Sequence, residues 1–302
     1  MIVHVNYEQV VIRAYKEILG REPDPIGLKG WIDALTNGLS EAGFYAELAH
    51  SDEGALVSFR RFSERHGHDP ERASRKLLYQ LSPILALHHA RLELIRHHLP
   101  PGNVILDLGG AHPTDPRGTL LAFGYPHKPR KLYIVDLPPD IRFGGGVQVV
   151  GSHVQGVTTV TQVYGRMTEL NFAEDSEVDL VISGQSIEHV TTEEAHAVFH
   201  EVARVLKPGG FFCLDTPNRR LTEIQAGPGR MLHPEHKKEY LPHEFLEEFS
   251  GHPFRPLAVK GVCHMPRTVA TGRFDLTEWE ENLGVNEYPD ESYVFFICYE
   301  RL

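Results

Sequence analysis

Acidic and histidine side chains in two places could do chemistry in this sequence. Glu188 and His189 are adjacent, and His233 and His236 follow in a later charged segment. An imidazole titrates near neutral pH, so His189 is the candidate general base, with Glu188 orienting it. The four side chains together would also form a mixed nitrogen and oxygen metal site, which suits manganese, iron or zinc better than magnesium. Structural alternatives stay open: Glu188 as a helix cap, and the two later histidines as exposed loop residues.

A second set of residues lies where apolar runs end. Val104 to Gly110 is predicted as a strand running into a glycine pair, which lets the backbone approach a ligand at the carboxyl edge of a parallel sheet. Leu132 to Asp136 is predicted as another strand, whose final carboxylate can accept hydrogen bonds from both hydroxyls of a ribose. Turn-forming or capping roles for Asp107 and Asp136 are the structural alternative. A nicotinamide enzyme would use the same Asp136 contact, but the G-x-G-x-x-G motif typical of such enzymes is absent.

The elements that position these residues alternate between strands and helices. Short apolar runs separated by turns or helices predict a mostly parallel sheet. The helix Thr192–Leu206 has one apolar face and ends at Lys207–Gly210. The predicted strands are Val104–Leu108, Leu132–Leu137, Val157–Tyr164, Val178–Ser183 and Phe211–Leu214, with Leu257–Val262 and Ser292–Tyr299 as a later antiparallel pair.

Composition limits the class of protein. The chain has 302 residues, and 30 Lys and Arg against 41 Asp and Glu give a net charge of −11, which disfavours nucleic acid as a partner. The 3 cysteines form no C-x-x-C pair, which argues against a zinc ribbon or a disulfide framework. Neither a signal segment nor a membrane-spanning run is apparent, so a cytoplasmic protein is expected.

The order of the strand-end motifs resembles the class I S-adenosylmethionine-dependent methyltransferases over about Leu77 to Leu302. The resemblance implies a Rossmann-like α/β fold with a seven-stranded sheet that binds S-adenosylmethionine at its carboxyl edge. It also implies cofactor-binding roles for Asp107, Gly109 and Gly110 at the methionine part, Asp136 at the ribose, Leu137 beside the adenine, Arg166 and Met167 at the adenine edge, and Ser183, Gly184 and Gln185 over the amino acid tail.

Two positions depart from the pattern of that family. The usual D-x-G-x-G-x-G loop lacks its third glycine here, so the loop from Ala111 to Gly118 is expected to take another path. The family commonly has an acidic residue near the adenine amino group, where this chain has Arg166.

The Glu188-His189 pair, Thr216–Asn218 and the later histidines are similar to elements of ubiquinone-type and sugar O-methyltransferases. They are also similar to elements of metal-dependent enzymes that methylate small-RNA 3′ ends, in which E-x-x-E-H and a later histidine hold a divalent ion. Gln185 stands where that pattern has its first glutamate, and it is a weaker, neutral ligand. The resemblance implies a divalent metal at Glu188, His189, His233 and His236.

The N-terminal segment reads as short helices. Helical spacing from Asn6 ends at Gly20, a second helix begins at Asp24-Pro25, and a third begins at Ser40. The run from Tyr15 to Trp31 resembles a bacterial helical module of unknown function, the DUF4214 type, over about Tyr7 to Glu53. We therefore predict a small all-helical domain at residues 1–70 and a methyltransferase domain at 71–302. The module is either purely structural or docks a protein partner.

These observations lead to one preferred function and two alternatives. The preferred function is an S-adenosylmethionine-dependent O-methyltransferase acting on a small hydroxylated acceptor such as a sugar, nucleotide sugar or glycan end. A noncatalytic scaffold in a glycan-assembly complex is the first alternative. A metal-dependent RNA 3′-end 2′-O-methyltransferase is the second, and the acidity of the chain and Gln185 disfavour it.

Overall fold

The structure is a computed structural model that describes residues 6–51, 53, 57, 91–112, 115–138 and 151–302. The chain divides into two units, Met1–His88 and His89–Leu302. The predicted boundary between residues 70 and 71 lies outside the described residues, as does most of the predicted helical connector, and both stay predictions. Within the described ranges, no helix combines the length and apolarity that a membrane crossing needs.

The helices of the first unit begin and end at the capping residues seen in the sequence. Helix α1, Tyr7–Ala14, continues as a π-helical turn, Tyr15–Leu19, and ends at Gly20, whose φ of 72° is left-handed. Helix α2, Pro25–Thr36, begins where the Asp24 carboxylate accepts hydrogen bonds from two backbone N–H groups. Helix α3, Glu41–His50, follows.

A small core holds these helices together. Trp31 packs against Phe44 with ring centroids 4.9 Å apart, and its indole N–H donates to the Tyr15 hydroxyl at 3.2 Å. Arg21 pairs with both carboxylate oxygens of Glu53, at 2.5 and 2.6 Å. The residues that carry the DUF4214 resemblance therefore have structural roles in this unit.

The second unit is built on one nine-stranded sheet with the order β3-β4-β2-β1-β5-β6-β9-β7-β8. Strands β1, β2, β4, β5 and β6 pair in parallel, and β9 and β7 are antiparallel additions. The strands are β1 Val104–Leu108, β2 Lys131–Asp136, β3 Gly151–Gln155, β4 Thr158–Tyr164, β5 Val178–Gly184, β6 Leu206–Pro217, β7 Phe254–His264, β8 Val285–Asn286 and β9 Ser292–Arg301.

The Rossmann-like α/β fold is confirmed, but the predicted count of seven strands is too low. The two additional strands, β3 and β8, lie at the edges of the sheet. Strand β3 is half-exposed to exposed along its length, so it lacks the apolar alternation that marks a strand in sequence. It pairs with β4 through a turn at Gly156, whose φ is 64°. Strand β8 has only two residues.

Alternation along the strands divides the core between the two faces of the sheet. In β1, Leu106 and Leu108 join a cluster with Phe199 and Phe212, whereas Ile105 joins a separate cluster with Leu120. Both faces are therefore covered, as a parallel sheet requires. The helices of this unit are α4 Gly118–Ala122, α5 Thr192–Val205, α6 Arg219–Ala226, α7 Pro242–Glu248, α8 Pro266–Thr271 and α9 Leu276–Glu281.

The parallel pairing brings the ends of separate strands to one edge. Leu108 of β1 is in register with Ser183 of β5, and Gly184 with Asp215 of β6. Asp136 ends β2, the neighbour of β1 on its other side. The carboxyl edge of the sheet thus collects the predicted site residues from sequence positions far apart.

Candidate active site

The end of β1 leaves its backbone bare. Gly109 has a φ of 76°, which favours glycine. At Gly110, a Cβ would lie 2.1 Å from the Cγ of Asp107, so no side chain fits there. Burial raises the pKa of Asp107 to about 7, although the nearby Arg91 acts in the opposite direction. A ligand can therefore approach the peptide groups of this turn.

The end of β2 presents a buried carboxylate beside an exposed apolar side chain. Asp136 accepts hydrogen bonds from the backbone N–H of Ala111 at 3.1 Å and of Leu137 at 2.8 Å, one on each carboxylate oxygen. Each oxygen can accept a further hydrogen bond. The Leu137 side chain is 43% exposed, which is unusual for a leucine beside a sheet edge. This pair can receive a polar ribose and a flat apolar ring.

The residues after β4 have partners within the protein. Arg166 forms an ion pair with Glu194 of α5. Met167 is partly buried against the core of the sheet. The contacts of these two residues with the adenine stay predictions.

The end of β5 is tied to the end of β6. Gln185 has a φ of 54°, and its side-chain amide donates to the Asp215 carboxylate at 2.8 Å. At Gly184, a Cβ would lie 1.8 Å from an Arg91 nitrogen. Ser183 is fully buried, and its hydroxyl has no hydrogen-bond partner among the described residues. The amide nitrogen of Gln185 is thus engaged by Asp215.

Arg91 belongs to this edge, and sequence reasoning missed it. Its guanidinium pairs with the Asp215 carboxylate at 2.8 Å, and both side chains are buried. A buried pair of opposite charges compensates the loss of hydration of each. The residue lies in a helical stretch, 91–97, where nothing in the local sequence distinguishes it from a surface arginine.

Glu188 is held in place by β6. It belongs to a 3₁₀ turn, Ile187–His189, and is 1% exposed. The Thr216 hydroxyl donates to its carboxylate at 2.9 Å. Burial raises the pKa of Glu188 to about 7. Glu188 does not cap α5, since that role belongs to Thr191 and Glu194 in a capping box.

Three of the four predicted metal ligands converge. One ligand atom from each of Glu188, His189 and His236 lies within 4.8 Å of the other two. The ring centroids of His189 and His236 are 4.9 Å apart. His233 lies outside this group, with its ring centroid 6.3 Å from that of His189. His236 is buried, which excludes its alternative reading as an exposed loop residue.

Glu239 is a second residue that sequence reasoning missed. Its carboxylate is 2.5 Å from Nδ1 of His236. Burial acts to raise the pKa of Glu239, but hydrogen bonds from His236, Thr222 and the backbone of Leu232 outweigh it and hold that pKa below its usual value. A glutamate three residues after a candidate ligand was the available signal.

The fold and the strand-end residues define a class I methyltransferase architecture with a candidate active site at the carboxyl edge. Residues 134–214 match the family described as methyltransferase domain, and residues 4–56 match the domain of unknown function DUF4214. The second unit therefore belongs to the S-adenosylmethionine-dependent methyltransferases, and the first unit is a DUF4214 domain.

Individual relatives agree with this assignment. A Mycolicibacterium smegmatis protein, described as a probable S-adenosylmethionine-dependent methyltransferase, is 38% identical over 103 residues, which span 33% of this chain and 37% of that protein. A Thermotoga maritima structure, described as an S-adenosylmethionine-dependent methyltransferase and possible histamine N-methyltransferase, has a TM-score of 0.51 at 15% identity, covering 76% of this chain and 98% of its own. A Mesorhizobium loti methyltransferase structure has a TM-score of 0.47 at 18% identity, covering 70% of this chain and 98% of its own.

Proposed function

We propose that the protein is an S-adenosylmethionine-dependent O-methyltransferase whose acceptor is a small hydroxylated molecule, best described as a sugar, nucleotide sugar or glycan end. The observation that carries this proposal is the convergence of Glu188, His189 and His236 beside the end of β5. Hydroxyl methylation needs removal of a proton, and this group offers both a base and metal ligands. Cytoplasmic location stays a prediction from the sequence.

The cofactor fits the residues at the carboxyl edge. When bound, S-adenosylmethionine supplies an electrophilic methyl group on a sulfonium. Asp136 would accept hydrogen bonds from the ribose hydroxyls, and the exposed Leu137 would cover one face of the adenine. The bare backbone at Gly109 and Gly110 would lie against the methionine part. Asp107, Ser183, Gly184 and Gln185 would surround that part, and Arg166 and Met167 would border the adenine.

His189 is the proposed general base. It is more exposed than Glu188 and His236, so it faces the side from which an acceptor enters. Methyl transfer is an in-line displacement, so the protein must mainly align the acceptor oxygen and receive its proton. Glu188, held by Thr216, lies beside the imidazole and orients it.

The donor set also fits a divalent metal. Glu188 and His236 are buried and, with His189, offer one oxygen and two nitrogen atoms within 4.8 Å of one another. Each of the two buried residues has a partner behind it, Thr216 or Glu239, as ligating side chains generally do. His233 would complete the set only by moving closer. Such an ion, when bound, lowers the pKa of a coordinated hydroxyl; manganese, iron and zinc suit these ligands.

Local charge supports an anionic acceptor such as a nucleotide sugar. Residues 219–238 contain five Lys and Arg against two Glu, in a chain whose net charge is −11. Lys237 donates its backbone N–H to the Glu188 carbonyl at 2.7 Å, so this basic segment is attached to the site. The DUF4214 unit is proposed to dock a protein partner of glycan assembly.

Calorimetry and turnover test the proposal together. The wild-type protein is expected to bind S-adenosylmethionine with micromolar affinity and to methylate an acceptor from a panel of sugars and nucleotide sugars. His189→Ala is expected to keep that affinity and lose about 10²–10⁴-fold in turnover. The exposed His127→Ala is the matched control and should leave both unchanged. Absence of cofactor binding would favour the scaffold alternative.

The metal is tested separately. Elemental analysis of the purified protein and turnover after chelation are expected to show a bound divalent ion and a loss that added Mn²⁺ restores. Full activity of a metal-free preparation would leave His189 alone as the base.

A further inference from the structure

Glu239 is buried among three hydrogen-bond donors. The residue is 2% exposed, and its carboxylate accepts from the backbone N–H of Leu232 at 2.9 Å and from the Thr222 hydroxyl. Nδ1 of His236 lies 2.5 Å from the same oxygen that Leu232 contacts. A buried carboxylate is expensive unless its lone pairs are used, and here the donors come from α6, the following loop and His236.

This contact determines which nitrogen of His236 is available. A carboxylate accepts hydrogen bonds, so Nδ1 must carry the proton that it shares with Glu239. In a neutral imidazole the other nitrogen, Nε2, then has a free lone pair. We propose that Glu239 is a positioning residue, which holds His236 in the Nδ1–H tautomer and keeps the lone pair of Nε2 for the group formed with Glu188 and His189. The purpose of this arrangement rests on the proposed function.

Other histidine–carboxylate pairs in the chain differ in burial. His196 pairs with Glu248 and His264 with Glu291, but those carboxylates are 44% and 42% exposed. The side chain of Glu239 is 1% exposed. Water competes for an exposed carboxylate and lets the ring turn, whereas the buried Glu239 has fixed partners that hold the ring in one orientation.

A purely structural role would look like that of Glu278. Glu278 is also 1% exposed, but it accepts from the backbone N–H groups of Arg267 and Thr268 at 2.6 and 2.7 Å, at the start of α8. It contacts no histidine in these bonds. Glu278→Met is therefore the matched control for Glu239→Met, since each change removes a buried acceptor of similar size.

The tautomer can be measured without metal or substrate. Long-range ¹H–¹⁵N spectra of the full-length protein at pH 8, with His236 assigned by its loss in His236→Asn, are expected to show Nδ1 protonated and Nε2 bare. Glu239→Gln, which keeps a carbonyl acceptor, is expected to retain this tautomer, and Glu239→Met to lose it. A protonated Nε2 in the wild-type protein, or an unchanged spectrum in Glu239→Met, would overturn the proposal.

Metal titration supplies the second readout. Glu239→Met is expected to bind Mn²⁺ at least tenfold more weakly than wild type, since partners behind ligating histidines change affinity about 10- to 100-fold. Glu239→Gln should fall between the two, and Glu278→Met should match wild type even if its melting temperature is lower. Equal Mn²⁺ affinity in wild type and Glu239→Met would overturn the proposal. If wild type itself binds no Mn²⁺, the metal part of the proposed function fails, and the tautomer spectra decide the role of Glu239. If Glu239→Met does not fold, the wild-type tautomer and Glu239→Gln still decide it.

Discussion

Replacing Asp136 with alanine tests the placement of the cofactor at the end of β2. Both carboxylate oxygens already accept one backbone N–H, from Ala111 at 3.1 Å and from Leu137 at 2.8 Å. One acceptor position therefore remains on each oxygen, and the two positions match the two hydroxyls of a ribose. The backbone bonds exist with and without ligand, so their loss affects stability more than affinity.

The expected magnitude follows from those two remaining positions. Hydrogen bonds to a charged group contribute about 1.5–3 kcal/mol each, and water entering the space left by the carboxylate recovers part of that. We expect Asp136→Ala to weaken cofactor binding by about 1–3 kcal/mol, which is about a 5- to 140-fold increase in Kd. Isothermal titration with S-adenosylmethionine and with its demethylated product measures this change.

Asp179→Ala is the matched control for Asp136→Ala. Asp179 also accepts two backbone N–H groups, those of Asn103 at 3.0 Å and Val104 at 2.8 Å, but near the start of β5, at the opposite edge of the sheet. This variant is expected to lower stability and leave cofactor Kd unchanged. An unchanged Kd in Asp136→Ala, or an equal loss in both variants, would refute the placement of the ribose at Asp136.

Three further changes probe the same edge of the sheet. Gly110→Ala is expected to abolish measurable cofactor binding, because its Cβ would lie 2.1 Å from the Cγ of Asp107, whereas Gly251→Ala, with no atom within 4 Å of its Cβ, should bind normally in the same titration. Since burial raises the pKa of Asp107 from 3.8 to about 7, the folded protein keeps a proton that the unfolded chain releases, and stability falls as pH rises through that interval. Asp107→Asn should therefore make the free energy of unfolding decline less steeply from about pH 4.5 to 7 in urea denaturation, and parallel curves would contradict this. Arg91→Met leaves the buried Asp215 without its cation and is expected to cost about 3–5 kcal/mol of stability, part of which the double variant with Asp215→Asn recovers; unaltered stability would count against the pair.

Apolar runs predicted the central strands well because a parallel sheet buried on both faces needs continuous apolar segments. The predicted Val104–Leu108 has the same bounds in the structure. Strand ends were less well predicted: β6 spans Leu206–Pro217 and so includes the Lys-Pro-Gly-Gly segment expected to be a turn. Whether such a segment forms a strand depends on its neighbours, here β5 and β9, which local sequence does not specify.

Among the site residues, sequence order by itself determined the strand-end carboxylates, the glycine pair and the Glu188-His189 pair, because strand periodicity and turn chemistry are local properties. Only the tertiary structure decided that His236 joins this pair and that His233 stays outside it. It alone also assigned Arg91 to Asp215 and Glu239 to His236. Hydrogen-bond and ion-pair partners depend on distances between elements far apart in the chain, and residue type and spacing do not encode those distances.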